Sequence, residues 1–308
     1  MKYIIILLQI FLLAACSGNQ KNAYIFSYFT GNGEDGLHLA YSTDGLVWNT
    51  INNGESLLKP ELSKDRLMRD PCIIRGGDGL FHMVWTVSWH EKGIGYASSS
   101  DLINWSEQKM IPVFDGIDGV KNCWAPEITY DSKNGEYMIY WASTIEGRFT
   151  ETAEGKENNL SHRMYAVTTK DFQTFSETFL LYDYGFNVID ASINYLDGKY
   201  VMLLKDETLT PPQKNIRIAY SDKLTGPYSE PSEPITGNYW AEGPTLLDLG
   251  SKYYVYFDKY TEGCFGVIES SDLKNWNEIS DKLKMPEGIR HGSVLKVTEK
   301  ELERLLDM

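Results

Sequence analysis

Arg69-Asp70-Pro71-Cys72-Ile73-Ile74-Arg75 is a short apolar strand that opens on a carboxylate, and the chain uses this kind of opening five times. The other copies are Ala125-Pro126-Glu127-Ile128-Thr129, Asp190-Ala191-Ser192-Ile193-Asn194, Glu242-Gly243-Pro244-Thr245-Leu246 and His291-Gly292-Ser293-Val294-Leu295. A Gly- or Asp-containing turn and a second, aromatic-rich strand follow, at Leu80 to Thr86, Glu136 to Ser143, Lys199 to Lys205 and Lys252 to Asp258. A third strand ends in a Ser/Thr-Asp turn and an aromatic residue, as in Ser99-Ser100-Asp101-Leu102-Ile103-Asn104-Trp105 and Ser270-Ser271-Asp272-Leu273-Lys274-Asn275-Trp276. Counted from Asp70 through Glu127, Asp190 and Glu242 to His291, the copies are 57, 63, 52 and 49 residues apart. Repeats of roughly 40–50 residues are the size of propeller blades. The excess in the second copy sits in the polar insertion Glu146 to Asn159, which reads as an exposed loop.

The fifth copy runs out at the C-terminus. After Val297, Thr298-Glu299-Lys300-Glu301-Leu302-Glu303-Arg304-Leu305-Leu306 reads as a short capped helix. The strands it lacks are at the other end of the chain. Ala23 to Thr30 matches a second strand. Leu37 to Trp48 carries the turn Ser42-Thr43-Asp44-Gly45-Leu46-Val47-Trp48. The expectation is an all-β, five-bladed β-propeller over residues 23–308, with one blade closed by N-terminal and C-terminal strands. Such closure leaves no unpaired sheet edge. A β-sandwich of repeated hairpins is the competing fold, and the aligned turns argue against it.

Residues 1–15 read as a signal peptide, with Lys2 as the positive end and Tyr3 to Ala15 as the apolar stretch. Leu13-Ala14-Ala15-Cys16 resembles a bacterial lipobox, which implies a lipid on Cys16. Residues 16–22 then form a tether, and the protein is expected in the cell envelope, lipid-anchored, either periplasm-facing or at the outer membrane. Cys72, Cys123 and Cys264 have no paired spacing and are expected as buried small residues. The net charge of −14 and the lack of a basic run argue against nucleic acid as a partner. With 8 Trp and 20 Tyr, aromatic planes are available both for packing and for stacking on sugar rings.

The first strand of each propeller blade lines the central channel. Its opening residues, Asp70, Glu127, Asp190, Glu242 and His291, are expected to share one face. Four like charges held close shift one another's pKa values, so their gathering calls for a function or a cation. Trp89, Trp124 and Trp240 lie near the openings and are candidates for a sugar platform. Trp85 and Trp141 read as core. His82 and His90 read as strand and loop residues without catalytic partners. Lys205-Asp206-Glu207 ends the second strand of the third blade and reads as a solvated loop there. Arg75 and Arg290 are candidates to bind substrate or pair with channel carboxylates.

Taken in order, these segments resemble glycoside hydrolase family 43 over nearly the whole mature chain. Arg69-Asp70-Pro71, Trp124-Ala125-Pro126-Glu127, Ile189-Asp190-Ala191-Ser192, Ala241-Glu242-Gly243-Pro244 and His291-Gly292-Ser293 each resemble a segment of that family. The resemblance implies Asp70 as general base, Glu242 as general acid and Asp190 as the residue that orients the acid and raises its pKa. It implies inversion, with acid and base roughly 6.5–9.5 Å apart to admit a water. It also implies His291 beside a possible central cation, held through water, and otherwise no required cofactor; a structural calcium is the candidate ion. Glu127 is expected to bind sugar hydroxyls. α-L-Arabinofuranosides and then β-xylosides on plant-type polysaccharide side chains are the expected substrates, with an exo-galactanase of the same fold or a non-catalytic glycan-binding propeller as alternatives. Arg69-Asp70-Pro71 also resembles sucrose-cleaving propellers, but their Asn-Asp-Pro-Asn-Gly nucleophile motif is absent and Glu242 is followed by Gly rather than Cys.

Overall fold

A computed structural model describes residues 23–153 and 159–308 as five small antiparallel sheets. Blade 1 contains strands Arg69–Arg75, Phe81–Thr86, Ile94–Ser99 and Lys109–Ile111. Blade 2 contains Trp124–Asp131, Glu136–Ser143, Arg163–Thr169 and Phe179–Tyr182. Blade 3 has three strands, Val188–Leu196, Lys199–Asp206 and Asn215–Ser221, and blade 4 has Glu242–Asp248, Tyr253–Lys259, Cys264–Ser270 and Asn277–Glu278. Blade 5 joins the two ends of the chain: Ser293–Val297 pairs with Ala23–Tyr28, which pairs with His38–Ser42 and then Asn49–Thr50. The inner strands pack beside one another in ring order, and the fifth returns to the first. The expected propeller and its split blade are therefore both present.

Each blade presents both faces to neighbours, so its middle strand is buried on both faces rather than alternating. Phe81–Thr86 is buried at every residue. Five hydrophobic clusters fill the five gaps between blades, and each takes residues from two adjacent sheets. Trp85 and Trp141 are fully buried in two of these clusters, as expected. The Ser/Thr-Asp turns are Asx turns. Asp101 Oδ1 accepts the N–H groups of Ile103 and Asn104 at 3.0 and 2.8 Å, and Asp44, Asp171 and Asp272 do the same in their blades. In the turn after Ser221 the serine hydroxyl alone accepts, from Lys223. The C-terminal helix spans Glu299–Leu306, with Thr298 and Glu301 forming a capping box, and it buries Leu302 and Leu305 against blades 1 and 5.

One local feature positions the chemistry. In blades 1 to 4 the inner strand carries a β-bulge, at which two of its residues face one on the second strand. The first bulged residues are Asp70, Ala125, Asp190 and Gly243, with φ of 52°, 44°, 52° and 59°. These four are the equivalent positions. Glu242 lies one residue earlier, level with Arg69, Trp124 and Ile189, and Glu127 lies two residues later, level with Cys72, Ser192 and Thr245. The carboxylates thus do not share one aligned position as expected. They enter the channel from three levels, because the carboxylate falls on the first bulged residue in blades 1 and 3, one residue before it in blade 4 and two residues after it in blade 2.

Candidate active site

The bulges open onto a cavity of about 260 Å³ at one end of the propeller. Asp70, Asp190, Glu242, Arg290, His291, Trp89, Trp124 and Trp240 all line it, as do Arg69, Thr86, Lys205, Glu207, Lys214 and Tyr260.

Asp70 is held as a carboxylate. Thr86 Oγ1 accepts the Ala125 N–H at 2.8 Å and donates to Asp70 Oδ2 at 2.9 Å. His291 Nδ1 is 3.4 Å from the other oxygen. Burial alone would raise the Asp70 pKa, but the His291 hydrogen bond and charge, with Arg69 and Thr86, hold it below the ordinary value. Asp190 is treated differently. The Gly243 N–H donates to Asp190 Oδ2 at 3.1 Å, and His291 Nδ1 is 4.0 Å from that oxygen. Burial, reinforced by the charges of Glu242 and Asp70, outweighs His291 and Lys205 and pushes Asp190 up to about 6. His291 answers both carboxylates. Burial disfavours its charge, but Asp190, Asp70 and Glu127 raise it to about 9, so it is an imidazolium at neutral pH. Gly243 is needed beside it. Its φ is +59°, and a Cβ there would lie 2.5 Å from the His291 ring.

Glu242 sits between two cations. Lys205 Nζ is 3.0 Å from Oε2, and Arg290 Nη2 is 3.5 Å from Oε1. Arg290 also donates through Nε to Asp258 Oδ2 at 3.0 Å. The aromatic wall is built around Trp89 and Trp124, which meet edge to face at 5.5 Å. Trp124 Nε1 donates to the Trp89 carbonyl, Trp89 Nε1 donates to Asn32, and the Arg69 guanidinium lies 4.2 Å from the Trp89 ring centre. Trp89 is nonetheless 38% exposed, so a firmly held ring is offered to solvent at the cavity mouth. Trp240 faces Tyr260 across 6.0 Å.

Several expected placements differ. Glu127 is not at the cavity. It is buried two residues beyond the bulge, where the Cys72 thiol donates to it at 3.2 Å and burial pushes it to about 7. Arg75 is at the far end of its strand, pairs with Glu301 at 2.7 Å and lies over Phe81, so it cannot reach the same substrate as Asp70. Lys205-Asp206-Glu207 is not a solvated loop: Lys205 and Asp206 end a strand, and Lys205 is 1% exposed and pairs with Glu207 and Glu242. His82 has neighbours in Tyr96 and Asp78 but lies away from the cavity. Cys72 and Cys123 are buried, whereas Cys264 is exposed. Cys16 lies outside the described residues. Among the described residues no three His, Cys, Asp or Glu side chains converge to hold a metal ion. His291 Nδ1 is directed at two carboxylates, Asp70 and Asp190.

Thr86, Lys205 and Asp258 are site residues that single-strand reading misses. A signal existed in the hairpin register. Each pairs with the residue just before a bulge: Arg69 with Thr86, Ile189 with Lys205 and Glu242 with Asp258.

The sequence model of a family described as a probable glycosyl hydrolase domain, related to glycoside hydrolase family 43, matches residues 19–303. An "Alpha-L-arabinofuranosidase" of Bifidobacterium longum subsp. longum is 26% identical over 249 residues, which cover 67% of this chain and 23% of that protein. The chain thus spans about a quarter of that relative's length. The crystal structure of an α-L-arabinofuranosidase from Lactobacillus brevis matches with a TM-score of 0.53 at 20% identity, over 69% of this chain and 72% of that one. An exo-β-1,3-galactanase from Phanerochaete chrysosporium matches with a TM-score of 0.55 at 16% identity, over 83% and 54% of the two chains. At these identities the solved structures share the fold. The match of the family's sequence model across almost the whole chain carries more, and the protein belongs to the glycoside hydrolase 43-related family of probable glycosyl hydrolase domains.

Proposed function

We propose that this protein cleaves glycosidic bonds by an inverting single displacement, with Asp70 as general base, Glu242 as general acid and Asp190 as the carboxyl that modulates the acid. The observation that carries this reading is the unequal treatment of three carboxyls around one small cavity. Asp70 is held ionised by Thr86 and His291, as a base that takes a proton from water must be. Asp190 is pushed up to about 6, by burial first and then by the charges of Glu242 and Asp70, so it can hold a proton at a pH where Asp70 has none. The exposed Trp89 ring supplies a plane for the apolar face of a sugar.

The substrate we propose is an α-L-arabinofuranoside, with β-xylosides and β-galactosides next. The names of the Bifidobacterium and Lactobacillus relatives support the first choice. Aryl arabinofuranosides, xylosides and galactosides, with arabinan, xylan and galactan oligosaccharides, test it. The wild type is expected to cleave one of these and release the inverted anomer by proton NMR. Asp70→Ala and Glu242→Ala are each expected to lose at least about 10³-fold in kcat/KM on oligosaccharides. A protein that binds these glycans and cleaves none is a glycan-binding propeller, and that result overturns the enzymatic reading.

We also propose that Cys16 carries a lipid that anchors the protein in the bacterial envelope, on the strength of Leu13-Ala14-Ala15-Cys16. Labelled palmitate should enter the wild type and not Cys16→Ser. Equal labelling of the two would refute it.

A further inference from the structure

Lys205 is an ammonium group placed where an apolar side chain would cost less. It is 1% exposed, and its Nζ lies 2.6 Å from Glu207 Oε2, 3.0 Å from Glu242 Oε2 and 4.6 Å from the Tyr260 ring centre. Glu207 is clamped from its other side by Lys214, whose Nζ is 2.5 Å from Oε1. Taking a lysine and a carboxylate out of water costs several kcal/mol per ion, and well-packed apolar residues usually serve stability as well or better. The strand before it follows that economy: Tyr200 to Leu204 are all buried and uncharged. The buried ammonium appears at the rung opposite Ile189, where the side chain meets Glu242, and the next residue, Asp206, is a buried carboxylate that pairs with Arg217 at 3.2 Å.

We propose that Lys205 is a positioning residue for Glu242. It grips Oε2 and leaves Oε1, whose contact to Arg290 is longer at 3.5 Å, free to meet the leaving-group oxygen. Glu207 and Lys214 fix Lys205 in turn. This inference rests on Glu242 being the acid.

The test compares two leaving groups on the sugar that the wild type cleaves, beginning with phenyl and 2,4-dinitrophenyl α-L-arabinofuranoside. Dinitrophenolate departs without a proton, so a fault in acid delivery spares that substrate. Lys205→Met is expected to lose about 100-fold in kcat/KM on the phenyl glycoside and less than about 5-fold on the dinitrophenyl glycoside. Glu207→Gln, which loosens Lys205 but keeps an acceptor of the same shape, should show the same selectivity at smaller amplitude and decides the matter should Lys205→Met not fold. Equal losses on both substrates would make Lys205 a structural ion and overturn the inference. Glu242→Ala is the control. If it too loses both substrates equally, the acid assignment falls and the role of Lys205 falls with it; if only the Lys205 and Glu207 variants do so, the acid assignment stands.

Discussion

Replacing His291 by Asn removes a buried positive charge and keeps a neutral donor near the place of Nδ1. The imidazolium is 3.4 Å from Asp70 and 4.0 Å from Asp190, and these carboxylates with Glu127 lift its pKa from 6.5 to about 9. A lift of that size corresponds to roughly 3 kcal/mol of folding free energy, at about 1.4 kcal/mol per pH unit. The direction sets the pH window. A histidine whose folded pKa is raised contributes stability that is fully present below its unfolded value and is lost as pH rises through the folded value. The contribution is therefore present near pH 6, largely retained at pH 7 and gone by pH 10. Urea unfolding of wild type and His291→Asn at pH 7 and pH 10 isolates it, because lost packing costs the variant the same at both. The gap between the two proteins should shrink by about 2–3 kcal/mol on going to pH 10, the lower figure allowing for protonation of Asp190 in the variant at pH 7. A gap that stays constant, or a His291 ring that titrates near 6.5 by NMR, refutes the charge pairing described for this site.

Gly243→Ala should destabilise the fold by about 2 kcal/mol in the same urea assay, because alanine pays for a left-handed φ and its Cβ meets the His291 ring; a melt within 0.5 °C of wild type would contradict the close approach. Trp89→Ala should raise KM for oligosaccharides about tenfold and leave kcat on the dinitrophenyl glycoside within about twofold, since the exposed ring offers no proton-transfer or nucleophilic group and is worth on the order of 1 kcal/mol as a stacking plane. A fall in kcat with KM unchanged would place Trp89 in the chemistry instead. Dialysis against EDTA should leave rate and Tm unchanged, because the positive charge between Asp70 and Asp190 belongs to His291; a loss that calcium restores would show the donors regrouping around a cation.

The repeat was legible because its cause is local. Each Asx turn is made by residues two and three positions on from one aspartate, and each middle strand is mostly apolar because both of its faces are covered. The split blade could be read for the same reason: the strands missing at one end match those present at the other. The site was legible by residue type and less so by position. Asp70, Asp190 and Glu242 do meet, yet aligning them with Glu127 fails, because a bulge inserts one residue per inner strand and sequence alone does not say on which side of it a carboxylate falls. Lys205 was hidden for a related reason. A Lys-Asp-Glu run at a strand end normally faces water, and only the pairing of Ile189 with Lys205 turns it inward.

The bulge also bears on what the strain at Asp70 and Asp190 means. Both hold φ near +52°, a region that costs a non-glycine residue on the order of 1–2 kcal/mol. Strain at catalytic residues invites the view that it serves the reaction. Ala125 argues otherwise. It adopts φ of 44° at the equivalent position of blade 2, and it carries no functional group. The left-handed residue is thus a property of the bulge that blades 1 to 4 share, whatever side chain it carries. The chemistry is laid over it by choice of side chain: a short aspartate suffices at the bulge itself in blades 1 and 3. In blade 4 the bulge is given to Gly243, which donates its N–H to Asp190 and makes room for His291, and the carboxylate moves one residue back to Glu242, whose extra methylene restores its reach. That shift also pairs Glu242 with Asp258, and it leaves Glu242 within 3.0 Å of Lys205 from the neighbouring blade. Glu242, the proposed acid, differs in environment from Asp70, the proposed base, because it enters the channel from a different rung of the same repeated scaffold.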